Sequence, residues 1–317
     1  MKVVTSLSDA ALEGFSVISI GNFDGLHLGH RAILQSVVRR ARELGLRSAV
    51  LTFDPHPVKF LAPDKAPQLI STLEQRLTLI ASAGIDLTFV ARFDRDFSQL
   101  SPEAFIRRYL VDGLRARAIC VGGNFNFGYR QSGTVDTLRQ WRSEFELIEI
   151  PPVTVRGMIV SSTHIRNSVR DGRVSRACRL LGRWFEIEGR IVSGAGRGRS
   201  VTVPTLNLSP HNEALPGRGV YITRIALDGG DYLDAVTNVG VRPTFGEERL
   251  AIESHVLHDA VPVHPETARL QFLHRIRNER RFDSPELLRR QIGRDVQSAE
   301  RFFRMLRAAS HARTPSR

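Results

Sequence analysis

Only two cysteines occur in the 317 residues, Cys120 in an apolar run and Cys178 in a helical stretch. Two such residues make no disulfide framework, and the chain suits a reducing compartment. Long apolar runs are also missing, since none approaches the roughly 18–20 residues of a membrane span. The opening Met1-Lys-Val-Val-Thr-Ser6 lacks the charged-then-apolar pattern of a secretory leader. The expectation is a cytoplasmic protein with no membrane partner. Lysine is scarce too, confined to Lys2, Lys59 and Lys65, although the formal net charge is +12. The positive charge is therefore arginine, and it is dispersed instead of gathered into a basic aromatic stripe. That distribution argues against nucleic acid as the main partner and leaves small anionic ligands to account for part of the excess.

The length suits two domains, each able to bury its own core. In the first half, short apolar runs alternate with helix-like stretches. Strands are predicted at Val17–Ile20, Ser48–Phe53, Leu87–Ala91, Ala118–Val121 and Leu147–Ile150. From Leu28 the positions Ile33, Leu34, Val37, Val38 and Ala41 fall at helical spacing. Ser71-x-x-Glu74 reads as a capping box opening a helix to about Ala83, and Ser101-Pro102 as the cap and first turn of another. Such alternation predicts an α/β domain with a doubly wound parallel sheet, whose ligands bind beyond the carboxyl ends of the strands. The polar clusters at 21–30, 54–57 and 122–133 lie at such ends.

Past about Leu181 the rhythm changes. Phe185–Val192 alternates with period two, and Val201–Leu208, Val220–Leu227, Leu233–Val239, Ala251–Leu257 and Leu270–Ile276 follow between turns. Close spacing without helices predicts a small antiparallel β-barrel. Asp283-Ser-Pro-Glu286 caps a final helix with one apolar face of Leu287, Leu288, Ile292, Val296, Phe302 and Phe303. The expected division is 1–183, 184–308 and a frayed tail at 309–317.

The chemistry starts where the first strand hands over to the first long helix. Gly21, Asn22, Phe23, Asp24 and Gly25 make a tight polar turn, which puts His27 and His30 at a helix N-terminus. Free backbone N–H groups and the positive dipole end favour an anion there. With Gly29 between them allowing close approach, the two imidazoles suit a nucleotide triphosphate. Asn22 and Asp24 shape the turn first and touch ligand second. His56, between Pro55 and Pro57, either reaches a ligand or braces a turn that cannot continue the strand.

Gly-Asn-Phe-Asp-Gly-x-His-x-Gly-His over 21–30 resembles the nucleotidyltransferase signature of the bifunctional bacterial riboflavin kinase/FAD synthetases. His-x-Gly-His alone is shared more widely with adenylyl- and cytidylyltransferases. Residues 122–133 are similar to the family's Val-Gly-x-(Asp/Asn)-Phe-x-Phe-Gly loop, with Asn124 at the amide-or-acid place and Phe125 and Phe127 as core packing or a flavin platform. Ser161-Ser-Thr-His-Ile-Arg166 resembles its second nucleotide motif. There Ser162 and Thr163 also serve as helix-start hydroxyls, and Arg166 adds a charge-assisted phosphate clamp. The resemblance implies AMP transfer: the FMN phosphate attacks the α-phosphorus of ATP, with His56 near the flavin or adenine. The attacking oxygen is already anionic, so alignment and charge neutralisation suffice.

In the second half, Gly194-Ala-Gly-Arg-Gly-Arg199 and Pro204-Thr-Leu-Asn207 resemble the riboflavin kinase pattern. The glycines, with Arg197 and Arg199 around Gly198, expose backbone N–H groups to phosphate or form a plain basic hairpin loop. Thr205 and Asn207 share one face of a strand, spaced to hold one hard cation, Mg2+ in this family. Val236 to Gly246 matches Asn-x-Gly-x-x-Pro-Thr-Phe-Gly, with Asn238 as a flavin contact. Glu253 falls at the place of the catalytic glutamate, the base that the neutral 5′-hydroxyl of riboflavin requires; alone, a strand glutamate would be merely solvated. Departures gather here: Thr202 and Val203 replace a glycine and an aromatic, Ser193 a histidine, and 258–265 a shorter turn. They bear on affinity more than on chemistry. The resemblance implies riboflavin, FMN and ATP as substrates and a monomer or weak homo-oligomer. The rival readings are an FMN adenylyltransferase with a weakened kinase half, a nucleotidyltransferase for another substrate, and a flavin-responsive binding protein.

Overall fold

The structure, a computed structural model, describes residues 1–11, 14–192, 205–244, 247–257 and 264–311. The chain divides into two compact units, Met1–Ser162 and Thr163–Arg317.

The first unit begins with β1 (Lys2–Val4), α1 (Leu7–Ala11), β2 (Ser16–Ile20), α2 (Leu28–Leu44) and β3 (Arg47–Asp54). It continues through α3 (Pro57–Leu61), α4 (Leu73–Ser82), β4 (Leu87–Arg92), α5 (Arg95–Ser98) and α6 (Pro102–Phe105), which runs into a π-helical stretch at Ile106–Gly113. β5 (Ala116–Gly122), α7 (Val135–Arg139), β6 (Glu146–Ile150) and a small hairpin, β7 (Thr154–Val155) and β8 (Met158–Ile159), complete it. The six main strands are parallel in the order β1-β4-β3-β2-β5-β6. All five residues of β2 are buried, as a strand covered on both faces requires. Ile18 and Ile20 join Leu51, Phe89 and Phe105 in one core, while Val17 joins Leu34, Val37, Val50 and Ile80 in another. The strand alternation therefore feeds two helical layers.

Two expectations shift. The capping box belongs to Thr72 and Gln75, whose reciprocal bonds are both 3.1 Å, and not to Ser71 and Glu74. Ser71 is buried instead, with its hydroxyl committed to the turn at residue 25. β1 went unread because three edge residues carry no periodicity.

In the second unit come α8 (Ser162–Arg170), which crosses the boundary, then α9 (Val174–Leu181), β9 (Phe185–Val192) and β10 (Leu206–Pro210). β11 (Gly219–Leu227), β12 (Tyr232–Thr244), β13 (Glu247–Val256), β14 (Thr267–Arg277) and α10 (Pro285–His311) follow. The six strands close an antiparallel barrel in the order β10-β13-β12-β11-β14-β9. Thr237 links Thr223 at 2.7 Å and Ser254 at 2.8 Å in a buried chain of hydroxyls. Helix α9 is fixed to β14 by Ser175 Oγ to Leu273 O and Cys178 Sγ to Phe272 O. This packing explains why the compact unit starts ahead of Gly182-Arg183.

Helix α10 packs Ala299 and Phe303, with Val296, Phe302 and Leu306, over Val220, Ile222, Val236 and Leu273. Leu287, expected on that face, is 46% exposed. About two turns further along, the buried Asp295 takes its place in anchoring the helix by accepting from Arg277. The helix also runs through His311, beyond the expected start of fraying; 312–317 lie outside the described residues.

Phe303→Ala should cost the barrel unit about 3–5 kcal/mol. In a Trp141→Phe background, urea unfolding of the full chain followed by Trp184, which packs on this cluster, checks it. A loss below about 1 kcal/mol would contradict the packing described.

Candidate active sites

The first site is the turn joining β2 to α2. Gly21 N donates to Leu51 O at 3.1 Å, keeping the turn beside β3. The buried Asp24 accepts through Oδ1 from Ile70 N (2.9 Å), Ser71 N (3.1 Å) and Ser71 Oγ (3.4 Å). Ser71 Oγ accepts in turn from Gly25 N at 3.1 Å. From the first turn of α4, the buried Arg76 donates to Asn22 O (2.9 Å) and Phe53 O (3.0 Å). Burial pulls its guanidinium below the usual range, against the opposing pull of Asp54 and Asp24. These bonds hold Phe23 and Leu26 in left-handed backbone, at φ 49° and 34°, a conformation that costs a non-glycine residue of order 1–3 kcal/mol.

His27 caps α2, its Nδ1 accepting from His30 N at 3.2 Å. The two imidazoles stack with centroids 3.6 Å apart and planes at 14°, and Phe23 meets His30 edge-on at 5.2 Å. A Cβ at Gly29 would lie 3.2 Å from the His27 ring, so a side chain there would press on the stack. His30 Nδ1 and Asn22 Oδ1 are buried with no hydrogen-bond partner among the described residues. Buried polar atoms are nearly always paired, and unmet ones at a helix N-terminus mark a place for ligand. Burial, and secondarily the neighbouring His27, hold the His30 pKa well below its ordinary value. At neutral pH His30 is therefore an uncharged imidazole.

The other predicted residues of this half divide. Ser162 Oγ donates to Asp24 O at 3.0 Å, tying the second motif to the turn. Thr163 is exposed and Arg166 half-buried on α8, in the second unit. Asn124 is exposed, while Phe127 is core and Phe125 stacks on it at 5.3 Å. His56 is buried and caps α3 through Nδ1, which accepts from Val58 N at 3.2 Å; bracing the turn is its visible work. Sequence reasoning gave Ser71 a capping role in place of its bond to the turn and missed Arg76, since an arginine in a helix's first turn reads as solvated.

In the barrel, strand register builds the second site. Glu253 on β13 stands opposite Asn207 on β10 and also opposite Asn238 on β12. Directly paired residues put their Cβ atoms about 5 Å apart on one face, so the three form a carboxylate flanked by two amides. Asn207 is buried, whereas Glu253 and Asn238 are half-buried. Thr205, two residues before Asn207, is exposed on the same face. Gly194, Arg197, Gly198 and Arg199 lie outside the described residues, as do Ser193, Thr202 and Val203. No helix among the described residues is long and apolar enough to cross a membrane.

The described residues thus comprise a parallel sheet whose second strand leads into a helix N-terminus with unmet buried polar atoms, and a barrel with a carboxylate between two amides. The FAD synthetase family model matches residues 10–164 and the riboflavin kinase model residues 181–303. The bifunctional riboflavin kinase/FMN adenylyltransferase of Escherichia coli (strain K12) is 36% identical over 308 residues, 96% of this chain and 98% of its own. That of Bacillus subtilis (strain 168) is 34% identical over 300 residues, 92% and 94% of the two chains. A crystal structure described as a macrolide-efflux protein from Streptococcus pneumoniae superposes with a TM-score of 0.85 at 27% identity, covering 94% of this chain and 98% of that one. The chain belongs to the bifunctional riboflavin kinase/FMN adenylyltransferase family.

The lowered His30 pKa gives a pH dependence. Unfolded histidine titrates near 6.5, so below that value the unfolded state binds more protons than the folded one, and stability falls as pH falls until His30 itself protonates. Trp141-reported unfolding midpoints should therefore drop from pH 7.5 to 5.5, and His30→Asn should shrink the drop. An equal drop in wild type and variant would contradict this account.

Proposed function

We propose that the chain phosphorylates riboflavin to FMN at the barrel and adenylylates FMN to FAD at the β2–α2 turn, each step consuming ATP. The observation that carries this reading is the difference between the two sites in one chain. The barrel row supplies a carboxylate base, and the turn supplies anion-binding groups without one. Those are the needs of a neutral hydroxyl nucleophile and of an already anionic phosphate, respectively.

At the barrel, Glu253 takes the proton of the riboflavin 5′-hydroxyl as its oxygen attacks the γ-phosphorus of ATP; the new O–P bond forms and ADP leaves. Asn207 and Asn238 hold the carboxylate between them. The hydroxyl of Thr205 and the amide oxygen of Asn207 are oxygen donors on one strand face and fit Mg2+, which when bound neutralises phosphate charge. At the turn, an FMN phosphate oxygen attacks the α-phosphorus of ATP and pyrophosphate leaves. His27, His30, Gly29 and the backbone of 21–25 with the first turn of α2 hold the triphosphate, and Asn22 supplies an amide oxygen. Asn124, Ser162, Thr163 and Arg166 take the nucleotide roles of the family motifs, and residues 194–199 those of the kinase phosphate loop. The partners are these small molecules, the compartment is the cytoplasm, and the state is a monomer or weak homo-oligomer with no nucleic-acid role.

Selective variants of the full chain test the division. Glu253→Gln should slow riboflavin phosphorylation by about 10²-fold or more while FMN adenylylation continues at the wild-type rate. His30→Ala should do the reverse. Loss of both activities in each variant, or retained kinase turnover in Glu253→Gln, would refute the assignment.

A further inference from the structure

We infer that Glu279 is a specificity-determining residue of the barrel site, recognising the inner hydroxyls of the acceptor's polyol chain; this rests on the kinase reading of that site. On β12, Asn238 and Gly240 point to the same face, two residues or about 7 Å along the strand. Gly240 pairs across the ladder with Ala251, just as Asn238 pairs with Glu253. The carboxylate–amide row is therefore continued by a floor of two small residues. The space above that floor is claimed by a carboxylate. A Cβ built on Gly240 would collide with Oε1 of Glu279 and lie 3.1 Å from Nδ2 of Asn238. Glu279 thus reaches over Gly240 from the segment after β14, on the side of the strand where Asn238 lies next along it.

The segment that carries Glu279 is clamped on both sides, although Glu279 itself is exposed. Arg277 grips the buried Asp295 of α10 through Nε at 3.2 Å to Oδ1 and NH2 at 2.8 Å to Oδ2, with Gln291 donating to the same carboxylate at 2.8 Å. Arg280 donates to Gln291 and lies over the Phe282 ring at 4.7 Å. An exposed carboxylate on a braced segment keeps a defined position without being consumed by an ion pair of its own clamp.

The chemistry follows from that placement. The second carboxylate stands at the next same-face position of the strand, over Gly240, while Glu253 stands opposite Asn238. It accepts hydrogen bonds, and a polyol offers several hydroxyl donors along its length. With the terminal hydroxyl at Glu253, the chain presents its inner hydroxyls to Asn238 and to the carboxylate of Glu279 that covers Gly240. Hydrogen bonds to a charged acceptor are the strong kind, and they leave the γ-phosphoryl transfer itself untouched. Glu279 should therefore govern acceptor affinity and not the chemical step.

The test compares riboflavin with a flavin whose N10 side chain keeps only the terminal hydroxyl, using the full-length protein with ATP and magnesium. Glu279→Gln should raise the KM for riboflavin about tenfold, with kcat and the KM for ATP within about twofold of wild type. The penalty should vanish with the dehydroxylated flavin. Gly240→Ala, whose methyl displaces the flexible end of Glu279 and presses on Asn238, should raise the riboflavin KM at least as much with an unchanged circular dichroism spectrum. Quenching of riboflavin fluorescence in the presence of ADP should give a Kd that moves with KM. An unchanged riboflavin KM, or an equal penalty on both flavins, overturns the inference while the kinase reading stands. A wild-type chain that phosphorylates neither flavin overturns both.

Discussion

Strand register is the constraint on which both candidate sites depend. In the barrel, β13 pairs with β10 on one side and β12 on the other, and only that register brings Asn207, Glu253 and Asn238 into one row. A slip of one residue would turn Glu253 to the opposite face and present Ile252 or Ser254 instead. In the first unit the parallel register has a coarser effect. It brings the carboxyl ends of β2, β3 and β5 to one edge, so the turn at 21–27, the Pro55–Pro57 segment and the loop after Gly122 leave the sheet on the same side. Neither site is made by one motif; pairing assembles each from several.

The turn before α2 shows how a site is kept rigid while its polar atoms stay available. Two charged groups, Asp24 and Arg76, are buried beneath it, and both hydrogen-bond to backbone. Asp24 satisfies amides of residues 70 and 71, and Arg76 satisfies carbonyls of residues 22 and 53. A buried charge is tolerable only when hydrogen-bonded in this way. With the backbone so fixed, left-handed residues at 23 and 26 persist, and Asn22 Oδ1 and His30 Nδ1 are among the buried atoms left unmet.

Most of the architecture was legible because its signals are local. The buried run before Gly21, the helical spacing after Leu28 and the period-two strand from Phe185 stand in the structure as read, and the family motifs named both halves; of the strand expected at Val201–Leu208, 201–204 lie outside the described residues and β10 runs over Leu206–Pro210. What sequence did not reveal depends on distant partners. Asp24 looked like a turn residue or a ligand contact, and nothing near it announces donors 46 residues away. Arg76 resembled a solvated helix residue until Asn22 and Phe53 were brought over it. Leu287 fitted the apolar stripe of the last helix, yet the core contact begins further along, because the Arg277–Asp295 pair sets where the helix lies down. Glu279 carried no motif of its own that the reading used; its interest comes from what stands opposite Gly240.

The central claim is that two chemically distinct phosphoryl and nucleotidyl transfers occur in one chain. The most direct measurement is a chromatographic time course of purified full-length protein with riboflavin, ATP and magnesium. The account requires FMN to appear first and FAD to follow, with pyrophosphate formed in step with FAD. FMN that accumulates without conversion, or riboflavin that stays unchanged while added FMN is converted, would contradict it.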